Sequence, residues 1–293
     1  MGYHAHIQKL ISFKTSNVGV CPIRKISTEQ SLWRICRQEV IGRNNYQTKK
    51  TMKKAIIMGA SSGIGYAVAK RLIEEGWMVG LSARRLEPLQ TLTQLAPERV
   101  FAQRIDVTDT EATTPLSQLI ARLGGIDLYF HTSGIGKQNT LLDESIEQAT
   151  LATNVMGFTR MVDFVFNYMA DNGGGHIAVI SSVAGTKGIG SAASYSASKT
   201  FQNAYIQALD QLAVKRKLPI IFTDIRPGFV DTPILTGDNY PMLMTVEHVT
   251  KRIMWALRRK KRVRIIDWRY RLMVRIWRMI PNSVWRKMKI GKA

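Results

Sequence analysis

Cysteine is nearly missing from this 293-residue chain. The two present, Cys21 and Cys36, both fall in the first fifty residues, and none follows. That excludes a disulfide framework for the body and fits a reducing, cytoplasmic compartment. Neither cysteine has a second Cys or a His at metal-ligand spacing, so no metal site is expected. No apolar run reaches the roughly 20 residues that a membrane-spanning helix needs. The first segment lacks the apolar block of a secretory signal, and His6 stands where a myristoylation signal places Ser or Thr.

Acids are scarce at both ends. Residues 1–51 hold nine Lys and Arg against two acids; residues 251–293 hold sixteen against one, Asp267. The stretch 52–250 is near neutral, with 17 basic and 18 acidic residues, although the whole chain carries +21. A near-neutral body with basic ends reads as a catalytic domain with surface-binding appendages. Three parts are expected: a basic leader at 1–51, a domain at 52–267 and a basic amphipathic helical extension at 268–293. Met52-Lys53-Lys54 directly precedes the first strand pattern, as a natural start would. Residues 1–51 are therefore read as a disordered leader or the product of an upstream start.

What is there begins with a short apolar run at 55–58, a buried-strand signal. It enters Gly59-Ala60-Ser61-Ser62-Gly63-Ile64-Gly65 and then a helical pattern at 66–75. Strand, glycine turn and helix make the context of a dinucleotide fingerprint: the glycines let backbone approach a pyrophosphate, and the helix N-terminus offers N–H groups. A lone glycine triplet is a weak signal, and its placement here raises it. No Gly-Lys-Ser/Thr follows, which argues against a nucleoside-triphosphate loop. The second strand, 77–83, ends at Ala83 where an NAD-binding fold places an acid; Arg84 and Arg85 follow instead. Two guanidiniums suit a 2′-phosphate, hence NADP(H); a solvated basic turn is the plainer alternative. A third strand, 100–107, ends in Asp106-Val107, where the acid accepts from an adenine amino group or caps the next helix. A fourth, 127–131, leads into Thr132-Ser133-Gly134. Strands alternating with helices predict an α/β fold: a doubly wound parallel sheet (Rossmann fold), three layers α/β/α, in a single domain.

The chemistry lies further on. The strand at 176–181 delivers Ser182, whose hydroxyl can bond a substrate oxygen that gains negative charge. Tyr195 and Lys199 stand four apart at the head of a helix running to about 212, so they share one face. An ammonium beside a phenol lowers the phenol's pKa from about 10 and equips it for proton exchange. Such a pair also arises by chance in many helices and gains weight only from its context. A helical pattern over 141–170 holds Asn154 in its interior, where Asn is mildly unfavourable. The strand 220–225 delivers Arg226, then the turn Pro227-Gly228-Phe229-Val230-Asp231-Thr232.

Taken together and in order, GASSGIG, Asp106-Val107, Asn154, the Ile-Ser-Ser ending in Ser182, YSASK at 195–199 and PGFVDT at 227–232 resemble the short-chain dehydrogenase/reductase family. The resemblance covers about 53–232. It implies Tyr195 as general acid/base and Lys199 as its pKa-lowering partner, which also binds the nicotinamide ribose. It implies Ser182 as orienter of a substrate carbonyl, Asn154 as holder of a proton-relay water, and Pro227, Gly228, Val230 and Thr232 as the cradle of the nicotinamide carboxamide. Two departures stand out. Met58 replaces the family's Thr before the first glycine, and His131-Thr132-Ser133-Gly134 replaces its Asn-Asn-Ala-Gly. His131 is read as a strand-end residue satisfied by backbone, outside the catalytic set.

The end of the chain departs most. Residues 231–244 read as a lid whose apolar members (Ile234, Leu235, Met242, Leu243, Met244) favour a lipophilic carbonyl or alcohol substrate. The family's Asp-Gly-Gly ending, which feeds a tetramer interface, is replaced by WRYRLMVRIWRMIPNSVWRKMKI. A homo-oligomer is still expected, dimer or tetramer undecided. On a wheel Leu272, Met273, Ile276, Trp277 and Ile280 share one face and Arg271, Arg275 and Arg278 the other. A helix of this kind, too short to span, lies in an anionic membrane interface, with the further basic cluster 258–264 beside it. Packing on the body or on a second subunit is the plainer alternative. The ending is similar to that of lipid- and steroid-handling, ketosphinganine-reductase-like members. Nucleic acid is not expected as a partner, because no recognised module accompanies the charge. The expected activity is NADP(H)-dependent interconversion of a ketone and a secondary alcohol. A non-catalytic NADP-binding sensor that uses the basic C-terminus is the rival; the full Asn154, Ser182, Tyr195 and Lys199 set argues against it.

Overall fold

Alternation along the strands sets the layers. A computed structural model describes residues 52–235, 240–288 and 290; the leader expected at 1–51 lies outside the described residues. In β1 (Lys54–Met58), Ala55 and Ile57 enter one apolar cluster while Ile56 and Met58 enter the other. β4 (Leu128–His131) divides likewise, with Leu128 and Phe130 on one side and Tyr129 on the other. Side chains of period two therefore furnish both faces of one sheet, and both must be covered.

The chain alternates throughout. α1 (Gly63–Glu74) follows β1; β2 (Met78–Ala83), α2 (Glu87–Thr93), β3 (Val100–Arg104), α3 (Thr113–Leu123) and β4 follow in turn. Then come α4 (Glu144–Leu151), a π-turn (Ala152–Gly157), α5 (Phe158–Asp171), β5 (Gly175–Ile180), α6 (Ala193–Lys215), β6 (Ile220–Arg226), α7 (Val246–Arg258) and β7 (Val263–Ile265). The seven strands are all parallel in the order β3-β2-β1-β4-β5-β6-β7. One face is covered by α1 and α7, the other by α3, α5 and α6. This is the three-layer Rossmann-type arrangement. Its strand order reverses between β1 and β4, where the C-terminal strand ends open a crevice.

The helix expected over 141–170 is divided. Asp143 caps α4 by accepting from Ser145 N at 2.9 Å. About two turns later the backbone widens into the π-turn that carries Asn154. A π-turn bulges the helix locally and re-aims a side chain. Gly157 at its end is obligatory, because a Cβ there would lie 2.7 Å from the Val107 carbonyl oxygen.

The C-terminal segment is built into the body. Asp267 caps α8 (Trp268–Met279), and Pro281 precedes the short α9 (Asn282–Trp285). Tyr270 and Val274 of α8 are buried in the cluster beneath α1 and α7, with Met273 packed against it. The single apolar face expected for 272–280 thus divides. Tyr270, Met273 and Val274 turn inward, while Trp268, Leu272, Ile276 and Met279 form an exposed stripe, Met279 at 82%. No described helix is long and apolar enough to cross a membrane.

Candidate active site

Three loops meet at the crevice. The first leaves β1 through Gly59, whose φ of +97° favours glycine. A Cβ on Gly59 would lie 2.7 Å from Ser133 N, and one on Gly65 would lie 2.1 Å from the Gly59 carbonyl oxygen. The turn therefore closes tightly on the β4 loop, where Thr132 Oγ1 donates to Gly59 O at 2.9 Å. Ser61, Ser62, Gly63 and Ile64 lead into α1, whose first turn has no acid to compete with an anion. The third loop, 227–232, reaches the same place: Thr232 Cγ2 lies 3.0 Å from where a Gly63 Cβ would stand. The pyrophosphate turn and the carboxamide cradle expected from the sequence thus adjoin. Bare backbone at Gly59, Gly63 and Gly65 fits a dinucleotide.

At the ends of β2 and β3, Arg84 and Arg85 are exposed and Arg104 Nε donates to the Arg84 carbonyl at 3.1 Å. Asp106 accepts from Thr108 N at 3.0 Å and from its hydroxyl at 2.8 Å, so it braces the turn before α3. Burial pushes its pKa up, but those bonds and the charges of Arg84 and Arg104 outweigh it and hold the carboxyl below its ordinary value. Val107 is buried, and its carbonyl accepts from Arg160 at 2.8 Å. Gly134 lies against Asn154 and Lys199, 3.2 Å and 3.6 Å from where its Cβ would stand.

Ser182, Tyr195, Lys199 and Asn154 come together from β5, α6 and the π-turn. All are buried except Tyr195, which is half-buried. The Ser182 hydroxyl accepts from Ala184 N at 3.1 Å and donates to Pro227 O at 3.5 Å, beside the Tyr195 phenol. The Tyr195 ring packs against Gly136, where a Cβ would sit 2.5 Å from it. Burial raises the Tyr195 pKa above its ordinary 10, with the nearby Ser182 hydroxyl pulling the other way. The ammonium expected to depress the phenol is not among the influences on it. The Lys199 ammonium sits 5.8 Å from the ring centroid and donates instead to Ile180 O at 3.1 Å and Gln202 Oε1 at 2.9 Å. Burial lowers the Lys199 amine to about 8, and Asp224 opposes that shift.

Asn154 is more fully engaged than expected. Its side chain accepts from Ile135 N at 2.9 Å and donates to Ile135 O at 2.7 Å, pinning the β4 loop. Its own carbonyl accepts from Gln202 Nε2 at 2.9 Å. His131 bonds the Tyr129 hydroxyl through Nδ1 at 3.0 Å and its Nε2 meets no backbone partner among the described residues, contrary to the expectation of backbone satisfaction; burial and the Lys199 charge hold its pKa down to about 3.

A family model described as short chain dehydrogenase matches residues 53–241. The chain belongs to the short-chain dehydrogenase family. An uncharacterised oxidoreductase of Myxococcus xanthus is 30% identical to this dehydrogenase over 240 residues, 79% of this chain and 94% of the relative. Among solved structures, a Burkholderia phymatum short-chain dehydrogenase in complex with NAD superposes with a TM-score of 0.70 at 21% identity, covering 76% of this chain and 92% of that one. A Burkholderia cenocepacia short-chain dehydrogenase in complex with NADP gives 0.66 at 21%, covering 78% and 98%. The family makes the chain an oxidoreductase with a nicotinamide cofactor, and these two structures establish the fold.

Sequence reasoning missed several residues of this dehydrogenase's site. Tyr270, from α8, receives Phe229 N–H on its hydroxyl at 3.0 Å and donates to Pro241 O at 3.0 Å; its ring occupies the space a Gly228 side chain would need. Lys187 donates to Ile280 O at 3.0 Å and to Asn282 Oδ1 at 2.8 Å, and Trp285 Nε1 donates to Gly188 O at 2.8 Å. The loop after Ser182 and the base of the lid are thus both tied to the C-terminal segment. Of the lid expected at 231–244, residues 236–239 lie outside the described residues. Behind the site, Asp224 accepts from the Ser181 hydroxyl and pairs with Arg226 at 2.6 Å.

Proposed function

We propose that this dehydrogenase interconverts a ketone and a secondary alcohol with NADP(H) and acts on a lipophilic substrate. The observation that carries the chemistry is the convergence of Ser182, Tyr195 and Lys199, with the Ser182 hydroxyl near enough to the phenol to pull its pKa down and the Lys199 ammonium 5.8 Å from the ring centroid. A substrate oxygen placed between the two hydroxyls receives a hydrogen bond from Ser182. It exchanges its proton with Tyr195 as charge develops on it. The nicotinamide cofactor supplies or accepts the hydride. Lys199 holds positive charge beside the phenol and stabilises it when its proton has left.

NADP(H) is favoured over NAD(H) by Arg84, Arg85 and Arg104 gathered at the ends of β2 and β3, with no acid at the end of β2. A lipophilic substrate is supported by the apolar lid residues and by the shallow groove between Met242 and the α8 residues Trp268, Leu272, Met273, Ile276 and Trp277. The exposed stripe Trp268, Leu272, Ile276 and Met279 lies among Arg269, Arg271, Arg275 and Arg278. That combination suits an anionic membrane surface, and the same proposal places the enzyme peripherally on one. It also takes the working form to be a homo-oligomer. Sedimentation at the monomer mass would remove that part alone.

The chemistry is tested by NADPH consumption against carbonyl compounds graded from short-chain to long-chain and sterol-like. Turnover that rises with apolarity supports the reading; NADPH binding without turnover on any member favours the sensor. For the surface, Leu272→Glu with Ile276→Glu is expected to abolish pelleting with phosphatidylserine vesicles while leaving turnover of a short, water-soluble ketone intact. Undiminished pelleting contradicts the membrane assignment.

A further inference from the structure

A buried ammonium needs acceptors, and the source of this one's acceptors was not legible as part of the site. Lys199 is 4% exposed and Gln202 fully buried, one turn further along α6. Gln202 Oε1 accepts from Lys199 Nζ at 2.9 Å, and Gln202 Nε2 donates to the Asn154 carbonyl oxygen at 2.9 Å. The orientation of this amide is forced. An ammonium only donates and a carbonyl only accepts, so the oxygen must face Lys199 and the nitrogen must face Asn154. Together with the Ile180 carbonyl at 3.1 Å, Gln202 takes up two of the three donors on Lys199.

We propose that Gln202 is a positioning residue of the catalytic site, whose amide bridges Asn154 and Lys199 and fixes where the ammonium stands behind Tyr195. The inference rests on the reading of Lys199 as the charge beside the phenol. It ties the π-turn to the catalytic helix through one side chain. A rigid hydrocarbon at residue 202 would fill the same space but leave the ammonium one acceptor short and the Asn154 carbonyl without its donor. The charged and titratable groups facing Lys199 are few. Tyr195 comes from α6 itself, His131 from β4, and Asp224, paired with Arg226, from β6. Of these, only Asp224 raises the Lys199 pKa, while burial lowers it and the neutral His131 adds no charge. With so little support for the ammonium, the acceptor on Gln202 weighs in its protonation as well as its place.

The test reads Lys199 directly, apart from turnover. Protein labelled with ¹³C at the lysine ε-carbon is titrated by NMR, with the Lys199 resonance assigned by its loss in Lys199→Arg. Wild type is expected to titrate near 8. Gln202→Leu is expected to lower the midpoint by about one unit, and Gln202→Glu to raise it by about one unit or more, as loss of an acceptor and gain of a carboxylate require. Melting temperatures show that each variant is folded. If Gln202→Leu does not fold, Gln202→Glu decides alone. An unmoved Lys199 midpoint in a folded variant overturns the proposal and leaves Gln202 as core filling. That result would leave the oxidoreductase reading standing, since turnover is measured separately.

Discussion

At the scale of single residues, the site is an economy of few hydroxyls and one cation. Tyr195→Phe removes the proton donor without disturbing the ring's contact with Gly136. It is expected to lower turnover by about 10²–10⁴-fold, the range for a lost general acid, with NADPH binding and melting temperature unchanged. Burial brings the Lys199 amine down to about 8. The ammonium is present below that value, so turnover is expected to fall as pH rises through about 8. A rate that stays level to pH 10 would contradict a role for the charged form. Replacing Arg84 and Arg85 together by Ser is expected to weaken NADPH about tenfold or more while NADH binding changes little, because only the 2′-phosphate loses its partners. Equal losses for both cofactors would assign the two arginines to general electrostatics.

At the scale of elements, Tyr270 is the most consequential contact that α8 makes. Its hydroxyl joins the loop after β6 at Phe229 to Pro241, across the segment expected to form a lid. Tyr270→Phe leaves the ring in place but removes the partner of Phe229 N–H and of the Pro241 carbonyl, both part-buried, at about 0.5–1.5 kcal/mol for each hydrogen bond lost. Melting temperature is expected to drop, and KM for both substrate and cofactor to rise more than kcat falls. A drop in stability with unchanged KM would reduce Tyr270 to a structural prop.

The elements themselves were largely legible. Each strand was marked by a short apolar run, and each run ended on the motif it delivers: Gly59 after β1, Ser182 after β5, Pro227 after β6. Local pattern decides these because a strand buried on both faces admits little else. The π-turn at Asn154 was legible only as an anomaly, a polar residue inside a helical pattern, since the widening depends on Gly157 meeting Val107 from another element. Gln202 was hidden for a related reason. A glutamine three residues after Lys199 reads as solvated until the fold shows that this face of α6 is inward. The apolar face of α8 was misassigned because two stripes coexist. The wheel covered 271–280 and so left out Tyr270, the most buried side chain of α8.

At the scale of the whole molecule, the C-terminal segment is both wall and surface. Its inner side supplies Tyr270 and Val274 to the core, and Lys187 and Trp285 fasten the loop after Ser182 to its end. A chain ending at 267 is expected to lose cooperative unfolding and NADPH binding together, as removal of two buried side chains and several loop anchors requires. A folded, NADPH-binding 1–267 product would instead make the segment a detachable appendage. Two buried histidines shape the response to acid. Burial holds His131 down to about 3 and His176 down to about 4, whereas an unfolded imidazole takes its proton near 6.5. Below 6.5 the unfolded chain therefore binds more protons, and stability present above that pH is lost as pH falls toward 4. His176→Gln, which can keep the bond to Thr223, is expected to flatten that slope in urea unfolding at pH 4.5–6.5.

One measurement bears most directly on the proton-exchange assignment: NADPH oxidation with the graded carbonyl panel, run on wild type and Tyr195→Phe, with NADH in parallel. Turnover that requires NADPH, rises with substrate apolarity and is lost in the folded, NADPH-binding Tyr195→Phe variant is the expected result. Full ketone reduction by Tyr195→Phe would contradict the role of the phenol, and NADPH binding without reduction of any carbonyl by wild type would contradict the enzyme itself.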